Sequence, residues 1–451
     1  MAKKKLVYVC SECGKEYPKW QGKCDACGEW NTLTEFRTGG KSKTSRKARG
    51  VEPVKLSEAG TESAERSSTG YGEFDRVLGG GVVEGSVVLI SGEPGIGKST
   101  LLLQVALDMA SRGSEILYVC GEESAAQVRM RADRVGDSGF DRVTLLPDNS
   151  LEPALSRMPS FDALVVDSIQ AISSEEISSA PGNISQVRHC TARLVDAAKA
   201  HGVPVFIVGH VTKSGSIAGP KVLEHAVDVV LELEGEVRGE YRLLRCQKNR
   251  FGTTGEMGVF SMGERGFIEV TNPSAAFLSH HESPVPGSVI FAGIEGRRPL
   301  FVEIQALVAP SVYGTPQRVC QGLDPKRLVL LSAVLERRGG IPLSKYDIFV
   351  NVVGGVNLSE RASDLPLVLA VVSSFRDTPV DSKVAVFGEV GITGELRKAP
   401  RSSLRLREAE RLGFSEALTP APPASEIPDG LNCRAATDLF SAFKVVFKKP
   451  Q

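Results

Sequence analysis

The sequence predicts an α/β protein built on a mostly parallel, twisted sheet, with a small module in front of that core and a second α/β domain behind it. Three observations carry this. The apolar runs VVLIS (87–91), ILYVC (116–120), ALVVD (163–167) and PVFIVGH (204–210) read as buried strands, each ending in polar chemistry. A glycine-rich turn joins the first run to Leu101–Ala110, which reads as a helix stopped by Gly113. After Asn272-Pro273 the character changes to alternating strands such as PLFVEIQALV and KYDIFVNVVGG, then to the helix-like DLPLVLAVVSSF. At 451 residues the chain exceeds the ~250–300 residues over which a single core grows. Two sizeable domains and a small one are therefore expected.

The formal net charge is +0, so any nucleic-acid contact must come from local patches or from a ring of subunits. The start, MAKKKLVYVC, has an apolar run shorter than the ~7–15 residues of a signal peptide. No apolar stretch approaches the ~18 residues of a membrane span. Nine cysteines, with two tight pairs among them, fit a reducing compartment better than a disulfide framework. A cytoplasmic protein without membrane contact is expected.

Residues 1–35 form the predicted front module. CSECGKEYPKWQGKCDACG sets Cys10 and Cys13, then Cys24 and Cys27, at two-residue spacing, with Gly14 and Gly28 after each pair. That spacing turns both sulfurs toward one centre, and four thiolates make the closed tetrahedral shell of structural Zn²⁺, with no open position for a substrate. So short a segment lies below the ~40 residues at which domains fold unaided, and the metal would supply the fold. A redox CxxC pair is the other reading. Lys15, Lys19 and Lys23, with Trp20, are either a nucleic-acid contact or a solvated face. Residues 36–55, basic and aperiodic, read as a flexible linker.

Residues 56–271 form the predicted principal domain. Gly92, Glu93, Pro94, Gly95, Ile96, Gly97, Lys98, Ser99 and Thr100 carry the pattern G-x-x-x-x-G-K-[ST] between strand and helix. The glycines let backbone N–H groups close around a β-phosphate, Lys98 reaches the β- and γ-phosphates, and the Ser99 hydroxyl ligates Mg²⁺. ATP and Mg²⁺ are the expected cofactors. Asp167, behind four apolar residues, is the candidate acid of the Mg²⁺ shell, a helix N-cap being the alternative. Glu122 is the first choice for the group that orients and deprotonates water, and Glu123 the second. His210, polar at a strand end, is read as a γ-phosphate sensor rather than a structural histidine. Further on, CQKNRFGTTGE (246–256) ends a strand with Lys248 and Arg250 and no acidic residue next to them. Taken alone, that is a solvated hairpin as readily as a site.

The lead-in STGYGEFDRVLGGGVVEGS (68–86) followed by the glycine loop resembles the RecA-type ATPase core, shared by recombinases, ring helicases and clock ATPases. With the cysteine knuckle in front and KNRFG behind, the chain is similar over essentially its whole length to the bacterial RadA family of DNA-repair proteins. The resemblance implies that nucleotide lies between subunits, with Lys248 and Arg250 reaching the γ-phosphate held by a neighbour. As alternate residues they would point the same way, and Phe251 and Gly252 would set the turn that aims them. It also implies DNA-facing loops at SSEEISSAPGNISQVRH (173–189) and TKSGSIAGPKVLEH (212–225), where Arg188, Lys213 and Lys221 offer phosphate contacts. Ordinary surface loops are the alternative.

Residues 272–451 resemble the proteolytic domain of Lon, which needs a serine nucleophile and a lysine base. SDLPLVLA puts Leu367 at the serine, and GEVGITGELRKAPRSSLR puts Arg405 at or near the lysine. Leucine has no nucleophile and arginine does not give up its proton, although Ser373, Ser374, Ser402 and Ser403 lie close in sequence. A pseudo-peptidase scaffold is expected, packing as a six-membered ring and offering Lys326, Arg327, Arg337 and Arg338 to DNA. The function these expectations compose is a DNA-dependent ATPase: a homo-hexameric motor on single-stranded and branched DNA, acting in recombination, branch migration and repair beside a RecA-type recombinase. An ATP-dependent Lon-type protease and a DNA-independent regulatory ATPase are the alternatives.

Overall fold

The computed structural model describes residues 5–10, 15–26, 28, 30, 32–38, 66–210, 220–235, 240–278, 283–312 and 314–447. They fall into two compact units. The first takes in Met1–Leu233, Cys246–Thr253 and Glu264–Phe267; the second Glu234–Arg245, Thr254–Gly263 and Ile268–Gln451. Among the described residues no helix is long and apolar enough to cross a membrane.

At the front, β1 (Lys5–Cys10) pairs antiparallel with β2 (Glu16–Tyr17) and β3 (Leu33–Thr38). The register runs from Cys10↔Leu33 to Lys5↔Thr38, so residues 36–38, expected as linker, belong to the sheet. The remainder of the expected linker lies outside the described residues.

The core of the first unit is a run of parallel strands. In chain order its elements are β4 (Val87–Gly92), α1 (Lys98–Ser111), β5 (Ile116–Cys120), α2 (Ala125–Val135), β6 (Val143–Leu146), β7 (Ala163–Asp167), α3 (Ile184–His201), β8 (Val205–Val208), α4 (Pro220–Ala226) and β9 (Val229–Glu234). The strands lie in the order β9-β4-β8-β7-β5-β6, each parallel to its neighbours. Helices on both faces explain why β4, β5 and β8 are apolar without alternation: every residue of these three strands is buried. All strand C-termini then open on one edge, and with β8 alone between β4 and β7, the glycine loop and Asp167 reach the same crevice.

Two expected loops are shorter than their composition suggested. Asn183 caps α3, its side chain accepting from Ser185 N at 3.1 Å, so residues 184–189 are helical and Arg188 sits exposed on α3. The second loop ends in α4, which carries Lys221; Lys213 lies outside the described residues. Beyond β9, β10 (Tyr241–Asn249) forms an antiparallel ladder with β11 (Met257–Gly263), from Tyr241↔Ser261 to Arg245↔Met257.

The second unit is built on β12 (Ser288–Glu295), β13 (Arg298–Pro310), β14 (Arg318–Gln321), α5 (Pro325–Arg338), β15 (Tyr346–Val352), α6 (Asp364–Arg376), β16 (Val384–Val386), α7 (Ser402–Arg411), β17 (Glu416–Thr419) and β18 (Asn432–Ala435). Its mixed sheet runs β14-β15-β13-β12-β16-β17-β18. Helix α6 is apolar nearly all round because its residues from Asp364 to Ser373 are all buried. Of the four cations expected to face DNA, Arg327 does not: its Nε donates to Asp364 Oδ1 at 2.7 Å and its Nη2 to Oδ2, tying it to a buried carboxylate. Lys326, Arg337 and Arg338 are exposed.

Candidate active site

The glycine loop follows β4, and its backbone requires glycine where the turn is sharpest. Gly92 has φ 150°, and a Cβ there would lie 2.5 Å from Leu233 O. Gly97, with φ 112°, is the N-cap of α1, so the first-turn N–H groups of that helix face the loop. Ile96 is buried and anchors the loop, whereas Glu93, Pro94 and Gly95 are exposed. Lys98 is only 3% exposed. Its Nζ donates to Gly92 O at 2.8 Å and Glu93 O at 2.9 Å. Burial draws its ammonium down to about 8, against the opposing pull of Asp167 and Glu122.

Asp167 is gripped at both oxygens: Ser99 Oγ donates to Oδ1 at 2.9 Å and Tyr118 Oη to Oδ2 at 2.7 Å. Burial raises its carboxyl above the usual range, and these two hydrogen bonds work against that shift. The two glutamates after β5 have different surroundings. Glu122 accepts from Ser168 Oγ and lies 3.9 Å from His210 Nε2. Glu123 forms an ion pair with Arg131 of α2. Burial lowers the His210 imidazole, and the nearby Lys98 charge lowers it further, so the ring is neutral near pH 7. Its Nδ1 is buried without a hydrogen-bond partner among the described residues. Lys98, Ser99, Asp167, Glu122 and His210 thus gather at the C-terminal edge of the sheet. They fit Mg²⁺–ATP: helix N–H groups and an ammonium for phosphates, a hydroxyl and a carboxylate for the ion.

Lys248 and Arg250 stand elsewhere. Lys248 Nζ donates to Glu224 O and Val227 O, each at 2.7 Å. Arg250 Nη1 pairs with Asp228 Oδ1 at 3.0 Å, and Arg250 N donates to Asp228 O at 3.1 Å. They point the same way, as alternation requires, but Arg250 is not unpaired within its own chain, as the run 246–256 alone suggested. Asp228 Oδ2 in turn accepts from Val87 N, at the start of β4. Both cations therefore sit at the N-terminal edge of the sheet, one strand length, ~17 Å, from their own glycine loop.

In the front module Cys10 and Cys24 are buried with Tyr17 and Leu33. Tyr17 Oη and Cys24 Sγ are 3.2 Å apart, and Gly28 N closes a turn onto Cys24 O at 2.8 Å. Two inward thiols at turn starts fit a thiolate metal shell; Cys13 and Cys27 lie outside the described residues. Lys15, Lys19 and Trp20 are exposed, while Lys23 lies over the Trp30 ring at 5.6 Å.

The peptidase positions hold no catalytic pair. Leu367 is buried in α6. Arg405 is 0% exposed: Nη1 donates to Ala292 O at 2.5 Å, Nη1 and Nη2 hold the Glu360 carboxylate, and the guanidinium lies over Phe387 at 5.3 Å. Three of the four nearby hydroxyls bond the backbone, Ser373 Oγ donating to Thr378 O at 2.6 Å and Ser402 Oγ to Ala399 O at 2.9 Å, while Ser374 Oγ accepts from Val308 N at 2.9 Å.

A parallel sheet whose first strand ends in a phosphate cradle, with an acid two strands away gripping the cradle's serine, defines a RecA-like ATPase core. The AAA domain family matches residues 73–216, and the rubredoxin metal binding domain family matches residues 8–35. A DNA repair protein RadA of Pseudomonas aeruginosa is 50% identical over 99% of this chain and 100% of its own. That of Bacillus subtilis is 49% identical over 93% of each, and that of Escherichia coli 47% identical over 98% of each. The chain belongs to the RadA family of DNA repair proteins. Among solved structures, a KaiC-like protein of Pyrococcus horikoshii aligns with 46% of this chain and 99% of its own at 22% identity and TM-score 0.39. The RadB recombinase aligns with 45% of this chain and 99% of its own, at 25% identity and TM-score 0.37.

Proposed function

We propose that the chain is a DNA-dependent ATPase that works as a ring-shaped motor on single-stranded and branched DNA during recombination, branch migration and repair, with ATP hydrolysed at junctions between copies. The observation that carries this reading is the separation of the site into two halves. The phosphate cradle lies at one edge of the sheet and the Lys248–Arg250 pair at the other, too far apart to meet on one nucleotide in one chain. A second copy supplies what each cradle lacks.

In this reading the loop N–H groups and Lys98 bind the triphosphate, and Ser99 and Asp167 would hold Mg²⁺, which would supply charge neutralisation to the phosphates. Glu122 orients a water against the γ-phosphorus and takes its proton as the bond to the β-phosphate oxygen breaks; among the described residues it pairs with no guanidinium, whereas Glu123 is tied to Arg131, which favours Glu122. His210 offers an imidazole N–H to the γ-phosphate. Lys248 and Arg250 from the neighbour stabilise the developing charge, a contribution of ~10³–10⁵ in rate where such cations have been dissected. Residues 272–451 act as scaffold and DNA contact, four cysteines hold Zn²⁺ at the front, and a homo-hexamer beside a RecA-type recombinase is the working assembly. The buried Leu367 and salt-bridged Arg405 count against a Lon-type protease, and a rate indifferent to DNA would mark a regulatory ATPase instead.

The test is subunit mixing. Lys98→Ala and Lys248→Ala chains should each be inactive alone. Mixed, some junctions pair an intact cradle with intact cations, so DNA-stimulated hydrolysis should return and peak near equal proportions. Silence at every ratio, with both variants folded and assembling, overturns the shared site.

A further inference from the structure

The glycine loop and Asp167 account for the phosphate cradle and its ion, but not for Tyr118. This residue is 0% exposed in the middle of β5. Its register partner on β7 is Val165, so Tyr118 emerges on the face that also carries Asp167 two residues on, and its ring reaches along the strand to the carboxylate. The hydroxyl donates to Asp167 Oδ2 at 2.7 Å while Ser99 Oγ donates to Oδ1 at 2.9 Å. A phenylalanine would fill the same volume with no buried hydroxyl to satisfy. With only the serine bond, the carboxylate could turn about its own axis and trade oxygens. With both oxygens engaged by groups on a strand and a helix, its plane is fixed.

We propose that Tyr118 is a positioning residue for the divalent cation: it acts through Asp167, holding the carboxylate so that Oδ1 stays beside the Ser99 hydroxyl, where the ion is to be bound. The inference rests on the Mg²⁺–ATP reading of the cradle. A partner that orients a metal-binding group without touching the metal is commonly worth ~10–100-fold in metal affinity. The bland alternative is that Asp167 merely satisfies a buried phenol, in which case losing the hydroxyl would leave cation binding unchanged.

Tyr118→Phe decides between them. Binding of a fluorescent, non-hydrolysable ATP analogue is followed as Mg²⁺ is titrated into the full-length chain, and again in EDTA. The expected result is a half-saturating Mg²⁺ concentration raised about tenfold, with EDTA binding and the ligand-free melting temperature like the parent's. Superimposable Mg²⁺ titrations overturn the assignment. So does an equal loss of binding with and without Mg²⁺, which would mark general damage to the loop. If the parent itself binds the analogue without regard to Mg²⁺, the reading of the cradle falls, and the role of Tyr118 with it.

Discussion

Lys98 is a cation kept where its charge is disfavoured until phosphate arrives. Its ammonium stands at about 8 in the ligand-free protein, so a growing share of chains is neutral there above that pH. Phosphate oxygens favour the charged form, and the bound state therefore holds more protons. Affinity for ATP should be full below pH 8 and fall as pH rises toward the higher value of the complex, with proton uptake on binding near pH 8–9. Calorimetry in two buffers of different ionisation enthalpy checks this; buffer-independent heats across that range would contradict it. At this scale, the placement of Lys98, Ser99 and Asp167 at one site was legible because it follows from local spacing and strand ends. Tyr118, Arg131 and Asp228 were not, because each matters through a partner 49, 8 or 22 residues away, fixed by strand register or helix packing. The one available hint was polar: a tyrosine hydroxyl inside the otherwise apolar run ILYVC. The sequence put Glu122 ahead of Glu123, and the physical difference between them appears when α2 brings Arg131 to Glu123.

The junction of β4 with the glycine loop is the element on which the cradle depends. β9 pairs with β4 through Leu233↔Gly92, and a side chain at Gly92 would meet Leu233 O at 2.5 Å with φ at 150°. Gly92→Ala should cost on the order of 1–3 kcal/mol of stability and weaken nucleotide binding, read from the denaturant midpoint and a nucleotide titration. A variant as stable and as tight-binding as the parent would mean the loop relaxes freely. Strands here were easy to read, since burial on both faces removes alternation and leaves plain apolar runs. Helix starts were harder. α1 begins at Lys98 rather than Leu101 because motif residues double as its first turn. α3 begins inside a serine- and glycine-rich stretch, where Asn183 as cap outweighs composition.

At the scale of the molecule, the cradle lies in the first compact unit, and the second is held together around Arg405, the residue that falls at or near the lysine expected of a Lon-type peptidase. Arg405 satisfies Glu360, Ala292 O and Pro400 O at once. Arg405→Met should destabilise by ~3 kcal/mol, because it strands a carboxylate whose partner was buried, while nucleotide binding persists. An unchanged unfolding midpoint would show that the network contributes nothing. The change of pattern after Asn272-Pro273 marked only the later part of this unit, since residues 234–245 and 254–263 belong to it as well, and the guanidinium's partners Ala292 and Glu360 are 113 and 45 residues away and could not be read. The placement of cations and cradle at opposite ends of one sheet has a further consequence. In the proposed shared site, contacts would join unlike faces, so copies would add in one direction, and an open stack would leave one terminal nucleotide unserved and one terminal pair of cations idle. Closure would then abolish both ends together, making every protomer simultaneously giver and receiver, and output per copy should rise when the last gap is sealed.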